Sequence, residues 1–186
     1  MNNILPKNSL CAKLLPQSQD SIRFLKNFKD SQEANYEVLE SKTNKIWGYV
    51  SIDNTKRGPG LGGIRLVQNL SLNEIKRLAR VMTLKNSAAC LPYGGGKSGL
   101  ILNEQLSNIE PNLKKDLMSM FAEALFDLKN YVPAADMGTD ENDIQVIYEH
   151  HAKILQKTIH DRGGAGRPVK YGGIPIDAWE LTAHGL

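Results

Sequence analysis

The chain has 186 residues, 41% hydrophobic and 23% charged, with a net charge of +3. That is enough for one α/β domain with a real core; it excludes a largely disordered chain and argues against a second full domain. So small and evenly spread a positive charge gives no footprint for nucleic acid. Two cysteines, Cys11 and Cys90, form neither a disulfide framework nor a metal-ligand spacing.

The N-terminus, Met1-Asn2-Asn3-Ile4-Leu5-Pro6-Lys7, is too polar for a secretory peptide, and no apolar run is long enough for a membrane span, so a cytoplasmic protein is expected. Residues 1–35 mix apolar and basic positions, among them Ile22, Phe24, Leu25 and Phe28, and are expected to hold a short helix. From Tyr36 to Val38 and from Lys45 to Ile52 the β-branched and aromatic content rises around Ser41-Lys42-Thr43-Asn44, which predicts paired strands. Gly58-Pro59-Gly60-Leu61-Gly62-Gly63 reads as a loop before the short strand Ile64-Arg65-Leu66-Val67. Ser71 and Glu74 have the spacing of a capping box, so a helix starts at Leu72, with Ile75, Leu78, Ala79 and Met82 on its buried face and Lys85 near its end.

Leu91-Pro92-Tyr93-Gly94-Gly95-Gly96-Lys97-Ser98-Gly99 then reads as a glycine loop leading into a buried strand, Ser98 to Leu102. Cys90 is placed in the core at an apolar helix end. A helix begins between Asn108 and Pro111, with Leu113, Leu117, Phe121, Ala124, Leu125 and Leu128 on one side. Tyr131-Val132-Pro133 is extended and delivers the chain to Asp136, and Thr139 is expected to cap a helix carrying Ile144, Ile147 and Tyr148. Alternating strands and helices predict a three-layer α/β sandwich with a mixed, mostly parallel sheet over residues 36–160. Residues 161–186, dense in glycine and proline, read as a linker and the start of something further.

The chemistry concentrates on Lys85, Lys97 and Asp136. A phosphate loop needs glycine where Leu91 stands, and no glycine run here has the strand-turn-helix context of a dinucleotide fingerprint. A lysine held against glycine backbone and partly desolvated by Tyr93, Leu91 and Leu100 can have a lowered pKa and act as a base or polarise a carbonyl. Lys85 is a helix-end cation compatible with a carboxylate ligand. Asp136 offers an acid, unless it merely caps the next helix. His150, His151, His160 and His184 have no ligand spacing with acids or cysteines, and no metal is expected.

Met82-Thr83-Leu84-Lys85-Asn86, the stretch Leu91 to Gly99, and Ala134-Ala135-Asp136-Met137-Gly138-Thr139 together resemble the substrate-domain motifs of the glutamate/leucine/phenylalanine/valine dehydrogenases. The resemblance runs from about Tyr36 to the end. It implies reversible deamination of an L-amino acid to its 2-oxo acid and ammonia, with NAD or NADP bound on a separate C-terminal domain, and a homo-oligomer. Lys85 then corresponds to the lysine that holds the substrate carboxylate, Lys97 to the one that activates water, and Asp136 to the acid that exchanges protons with the amino group. Gly62, Gly95 and Ala134 join Leu61 and Lys85 as substrate contacts.

Glutamate-specific members carry a lysine in the first glycine-rich stretch, where this chain has Leu61; together with Ala134 that implies an apolar side chain, as in the leucine-type enzymes. Leu181-Thr182-Ala183-His184-Gly185 resembles the start of that type's cofactor domain, with Thr182 near the nicotinamide. Because the chain stops there, it is expected to show no NAD-dependent turnover alone. The other reading is a non-catalytic amino-acid or 2-oxo-acid binding module, or an assembly partner without the cofactor domain.

Overall fold

The computed structural model describes residues 6, 8–15, 33–102, 109–157, 165–176 and 178–184. Six strands form one sheet: β1 (Leu10–Leu14), β2 (Ala34–Glu40), β3 (Ile46–Asn54), β4 (Gly60–Val67), β5 (Gly94–Ile101) and β6 (Tyr131–Ala135). Their spatial order is β1-β2-β3-β5-β4-β6. The predicted hairpin is β2 and β3, longer than expected at both ends and turned at Asn44, whose φ of 54° suits a short polar side chain. The stretch expected to be helical near the N-terminus begins instead with β1, antiparallel to β2; Ile22 to Phe28 lie outside the described residues.

The sheet is mixed. β1, β2, β3 and β5 pair antiparallel in succession, whereas β4 runs parallel to both β5 and β6. Parallel neighbours need a crossover, and α1 (Leu72–Ala88) supplies the one between β4 and β5. Its start is the predicted one: Ser71 Oγ accepts from the Glu74 amide at 3.2 Å. The reciprocal half of the box is not made, because the Glu74 carboxylate is drawn to Arg65. α2 (Pro111–Phe126) opens with Pro at its first turn and Glu110 as cap, where the missing N–H costs nothing. α3 (Glu141–Ile154) is capped by Asp140, with a full capping box to Asp143, and not by Thr139.

Helix α1 covers one face of the sheet and α2 with α3 the other. On the second face Phe121, Leu117, Met118, Ile144 and Ile147 close over Val38, Val50, Ile64, Leu66 and Leu100. All of these side chains are essentially inaccessible, and burial of each contributes about 1.5–3 kcal/mol. The described part of the glycine- and proline-rich tail contains a 3-10 turn, Val169–Tyr171, and the short helix α4 (Leu181–His184). It is tied back to α3 where the Tyr171 hydroxyl donates to Glu149 Oε1 at 3.1 Å. No helix among the described residues is long and apolar enough to cross a membrane.

Candidate active site

Strand alternation sorts the site from the core. On β4 the side chains of Leu61 and Arg65, flanking Gly63, point to the face opposite Ile64 and Leu66. Register places Gly95 beside Leu61, Gly99 beside Arg65 and Ala134 beside Gly63, so Lys97 and Asp136 converge on the same face from β5 and from the end of β6. While Gly58 and Pro59 lie in the turn before β4, residues 60–63 and 94–96 are therefore strand and not loop. Glycine is required there by close approach: a Cβ on Gly95 would lie 2.1 Å from Thr83 Oγ1 and 2.3 Å from the Ala79 carbonyl, and one on Gly63 would lie 2.6 Å from Asp136 Cβ. Gly95 lets α1 sit down on β5. Gly63 makes room for the acid.

Packing by itself accounts for glycine at Gly62 and Gly95, the two glycines expected to touch substrate. Gly95 is roofed by α1, and a Cβ on Gly62 would strike the Gly96 carbonyl at 1.6 Å, so both glycines serve strand and helix packing. Asn86, 2% exposed, secures the same corner by donating to the carbonyls of Gly94 at 2.6 Å and Leu61 at 3.5 Å. Leu61 itself is buried and Ala134 half-buried.

At the centre, Lys97 Nζ lies 2.7 Å from Asp136 Oδ2. The same oxygen accepts from Arg65 Nε at 3.0 Å, and Arg65 Nη1 reaches Glu74 Oε1 at 2.6 Å. Four charged groups from β5, β6, β4 and α1 thus form one chain. Lys97 is only 5% exposed. Burial pushes its ammonium below the ordinary lysine value; the Asp136 contact opposes this, and the positive charges of Arg65 and Lys85 assist it. Burial alone would raise the Asp136 carboxyl, but the hydrogen bonds and charges of Lys97 and then Arg65 outweigh it and hold it below the ordinary range. With Oδ2 taken twice, Oδ1 has no partner among the described residues.

Thr139, expected as a helix cap, holds the acid in place. Its Oγ1 accepts from the Asp136 amide at 2.9 Å and donates to the Ile64 carbonyl at 2.7 Å, pinning the turn after β6 to β4. Lys85 sits exposed in the last turn of α1, near enough for its charge to act on Lys97. Cys90 is exposed just after α1 with φ 55°, not in the core. Thr182 falls in α4, its side chain outside the description. Reading the sequence missed Arg65; the signal was a lone cation inside Ile64-Arg65-Leu66-Val67, on the face shared with Leu61. It also missed Asp53, buried and paired with Arg80 at 2.9 Å and Thr83 at 2.5 Å, which fastens α1 to β3.

Comparison with known proteins identifies the family. Residues 31–153 match the model of the Glu/Leu/Phe/Val dehydrogenase dimerisation domain. Among curated relatives, a glutamate dehydrogenase of Aeropyrum pernix is 32% identical over 68% of this chain and 30% of its own length. An NAD-specific glutamate dehydrogenase of Clostridioides difficile is 34% identical over the same shares. A hetero-hexameric glutamate dehydrogenase of Thermus thermophilus, solved with leucine bound, shares the fold at TM-score 0.64 and 24% identity, over 91% of this chain and 36% of that one. The chain spans about a third of the length of these proteins. The relatives named here are glutamate enzymes and lend no support to a leucine-type affinity. On the family match and these identities, the chain belongs to the Glu/Leu/Phe/Val dehydrogenase family and carries its dimerisation domain.

Proposed function

We propose that the chain is the substrate-binding and oligomer-forming part of an amino-acid dehydrogenase, which deaminates an L-amino acid with an apolar side chain reversibly to its 2-oxo acid and ammonia, with NAD or NADP as acceptor. The observation that carries this reading is the buried Lys97–Asp136 pair at 2.7 Å, an amine whose pKa is lowered by burial beside a carboxylate whose Oδ1 has no partner among the described residues. In this reading Lys85, exposed in the last turn of α1, holds the substrate α-carboxylate. Lys97 takes a proton from the water that adds to the substrate carbon and then steadies the resulting hydroxyl. Asp136 exchanges a proton with the amino group through Oδ1. With its pKa lowered by burial, Lys97 serves as base in its neutral form and as the ammonium once it holds the water's proton. The ionised Asp136 2.7 Å away can accept a proton in its turn, as such a sequence of transfers needs.

The acceptor is a different matter. A dinucleotide's pyrophosphate is cradled where a strand turns into a helix N-terminus over glycine. Here Gly60, Gly62, Gly63 and Gly94 to Gly96 lie within β4 and β5, packed on α1 or on neighbouring backbone, and the turn at Gly58 leads into a strand and not a helix, so the described residues do not fit that group. No step above is routed through it. Assembly into a homo-oligomer is supported by the family description of this domain as a dimerisation domain.

The apolar preference rests on Leu61. Its side chain is 8% exposed and lies on the site face beside Gly95, where a second carboxylate would lose its hydration without a partner. Calorimetry on the chain tests this directly. We expect 4-methyl-2-oxopentanoate to bind at least about tenfold more tightly than 2-oxoglutarate, since an unpaired buried charge costs at least about 1.4 kcal/mol. Leu61→Lys should reverse the order, and Lys97→Ala should weaken both ligands. Tighter binding of 2-oxoglutarate to the unaltered chain would reject the apolar preference.

A further inference from the structure

The acid of the site makes more contacts than proton exchange requires. Lys97 alone could hold the Asp136 carboxylate ionised, yet Arg65 reaches the same oxygen from β4 at 3.0 Å and is itself gripped by Glu74 of α1 at 2.6 Å. Arg65 is largely buried, its side chain 16% exposed, and a guanidinium in that setting is stable only when its donors are matched. The fork is used in two directions: Nε toward the acid and Nη1 toward the helix. Gly63, two residues earlier on the same face, leaves the space into which Asp136 fits.

We infer that Arg65 is a positioning residue for Asp136: braced by Glu74, it occupies Oδ2 together with Lys97 and so presents Oδ1 as the oxygen that meets the substrate amino group. The inference rests on the proposed deamination for the identity of the ligand, but not for the geometry. It also ties the acid to α1, the helix that carries Lys85, so the groups assigned to the substrate's α-carboxylate and α-amino group share one brace. The charged and titratable groups around Asp136 are Lys97 from β5, Arg65 from β4, Glu74 and Lys85 from α1, and Tyr131 of its own strand.

Two measurements on the 186-residue chain decide it. The first follows the Asp136 side-chain carboxyl carbon by NMR as a function of pH, without ligand, in the unaltered chain, Arg65→Gln and Arg65→Lys. Loss of the guanidinium charge should raise the Asp136 midpoint by about one pH unit in Arg65→Gln, the size of effect an adjacent opposite charge exerts. Arg65→Lys keeps the charge but cannot span both carboxylates, so its midpoint should also rise, by less. A midpoint unchanged in either folded variant overturns the inference. The second compares L-leucine with 4-methyl-2-oxopentanoate by calorimetry. Affinity for the amine-bearing ligand should fall about tenfold in Arg65→Lys, equivalent to about 1.4 kcal/mol, while affinity for the 2-oxo acid changes less. An equal loss for both overturns it. If the unaltered chain binds neither ligand, the proposed function fails while the titration still decides the role of Arg65.

Discussion

Two faces of the same strands are built on opposite rules. On β4 and β5, Ile64, Leu66 and Leu100 point toward α2 and α3 into an apolar interior, where shape and volume decide the outcome. One residue along, Leu61, Gly63, Arg65, Gly95 and Lys97 face α1, where backbone comes within a Cβ's reach and charges are paired in a chain. The first face supplies cohesion and the second spends some of it. Lys97, Asp53 and Asn86 are all nearly inaccessible there and are kept by specific partners. A residue's position in the alternation therefore predicts how it fails: by leaving a cavity on one face, by collision or an unpaired group on the other.

The largest effect should come from the apolar face. Phe121→Ala empties the centre of the core and should destabilise the chain by about 3–5 kcal/mol in chemical denaturation. A loss below about 1 kcal/mol would mean that α2 is not the lid this comparison makes it. Gly95→Ala tests the other face by addition: its methyl meets Thr83 and Ala79 of α1, and overpacking of this kind costs about 1–3 kcal/mol. Amide exchange should locate that loss at α1 and β5, leaving α2 and α3 protected; a uniform loss of protection would break the contrast.

Tyr131 is a polar group on the apolar face, its hydroxyl donating to the Gly62 carbonyl at 2.8 Å and meeting Ser98 Oγ at 2.9 Å. Burial pushes that phenol well above its ordinary value. Tyr131→Phe should cost about 1 kcal/mol in denaturant melts, because two groups lose a partner while the ring still fills its place. A stabilised variant would show that the polar bridge is dispensable.

The smallest effect is read against pH. The Asp136 carboxyl is held below its ordinary 3.8, so the stability it adds is complete above that value and is lost as pH falls through its lower, folded value. Asp136→Asn should melt below the unaltered chain near neutrality, by a few degrees at most for a half-exposed group, and the two melting curves should converge in acid. A gap that stays constant from neutral pH to acid would place the effect of the substitution outside its charge.

Much of the fold was legible along the chain. The hairpin, the starts of α1 and α2 and the apolar stripes of α2 and α3 follow from propensity, capping and period, all properties of a dozen adjacent residues. Lys97 and Asp136 were legible as well, since a lysine among glycines and an acid after a short strand are unusual locally. Thr139 and Cys90 were misread because a cap and a buried thiol were inferred from neighbours in sequence. One contacts a different strand and the other lies exposed beyond the helix.

By itself, then, the sequence determined the hairpin, the three long helices, the charged residue types and the family to which they belong. Tertiary structure alone decided that residues 60–63 and 94–96 are strand, because what demands glycine there is backbone and helix arriving from elsewhere in the chain. It also decided that Arg65 and Glu74 belong with Lys97 and Asp136: these residues are far apart along the chain and meet only because β4 pairs with both β5 and β6 while α1 folds back across them. Electrostatic coupling depends on distance in space, and the parallel crossover is what sets that distance.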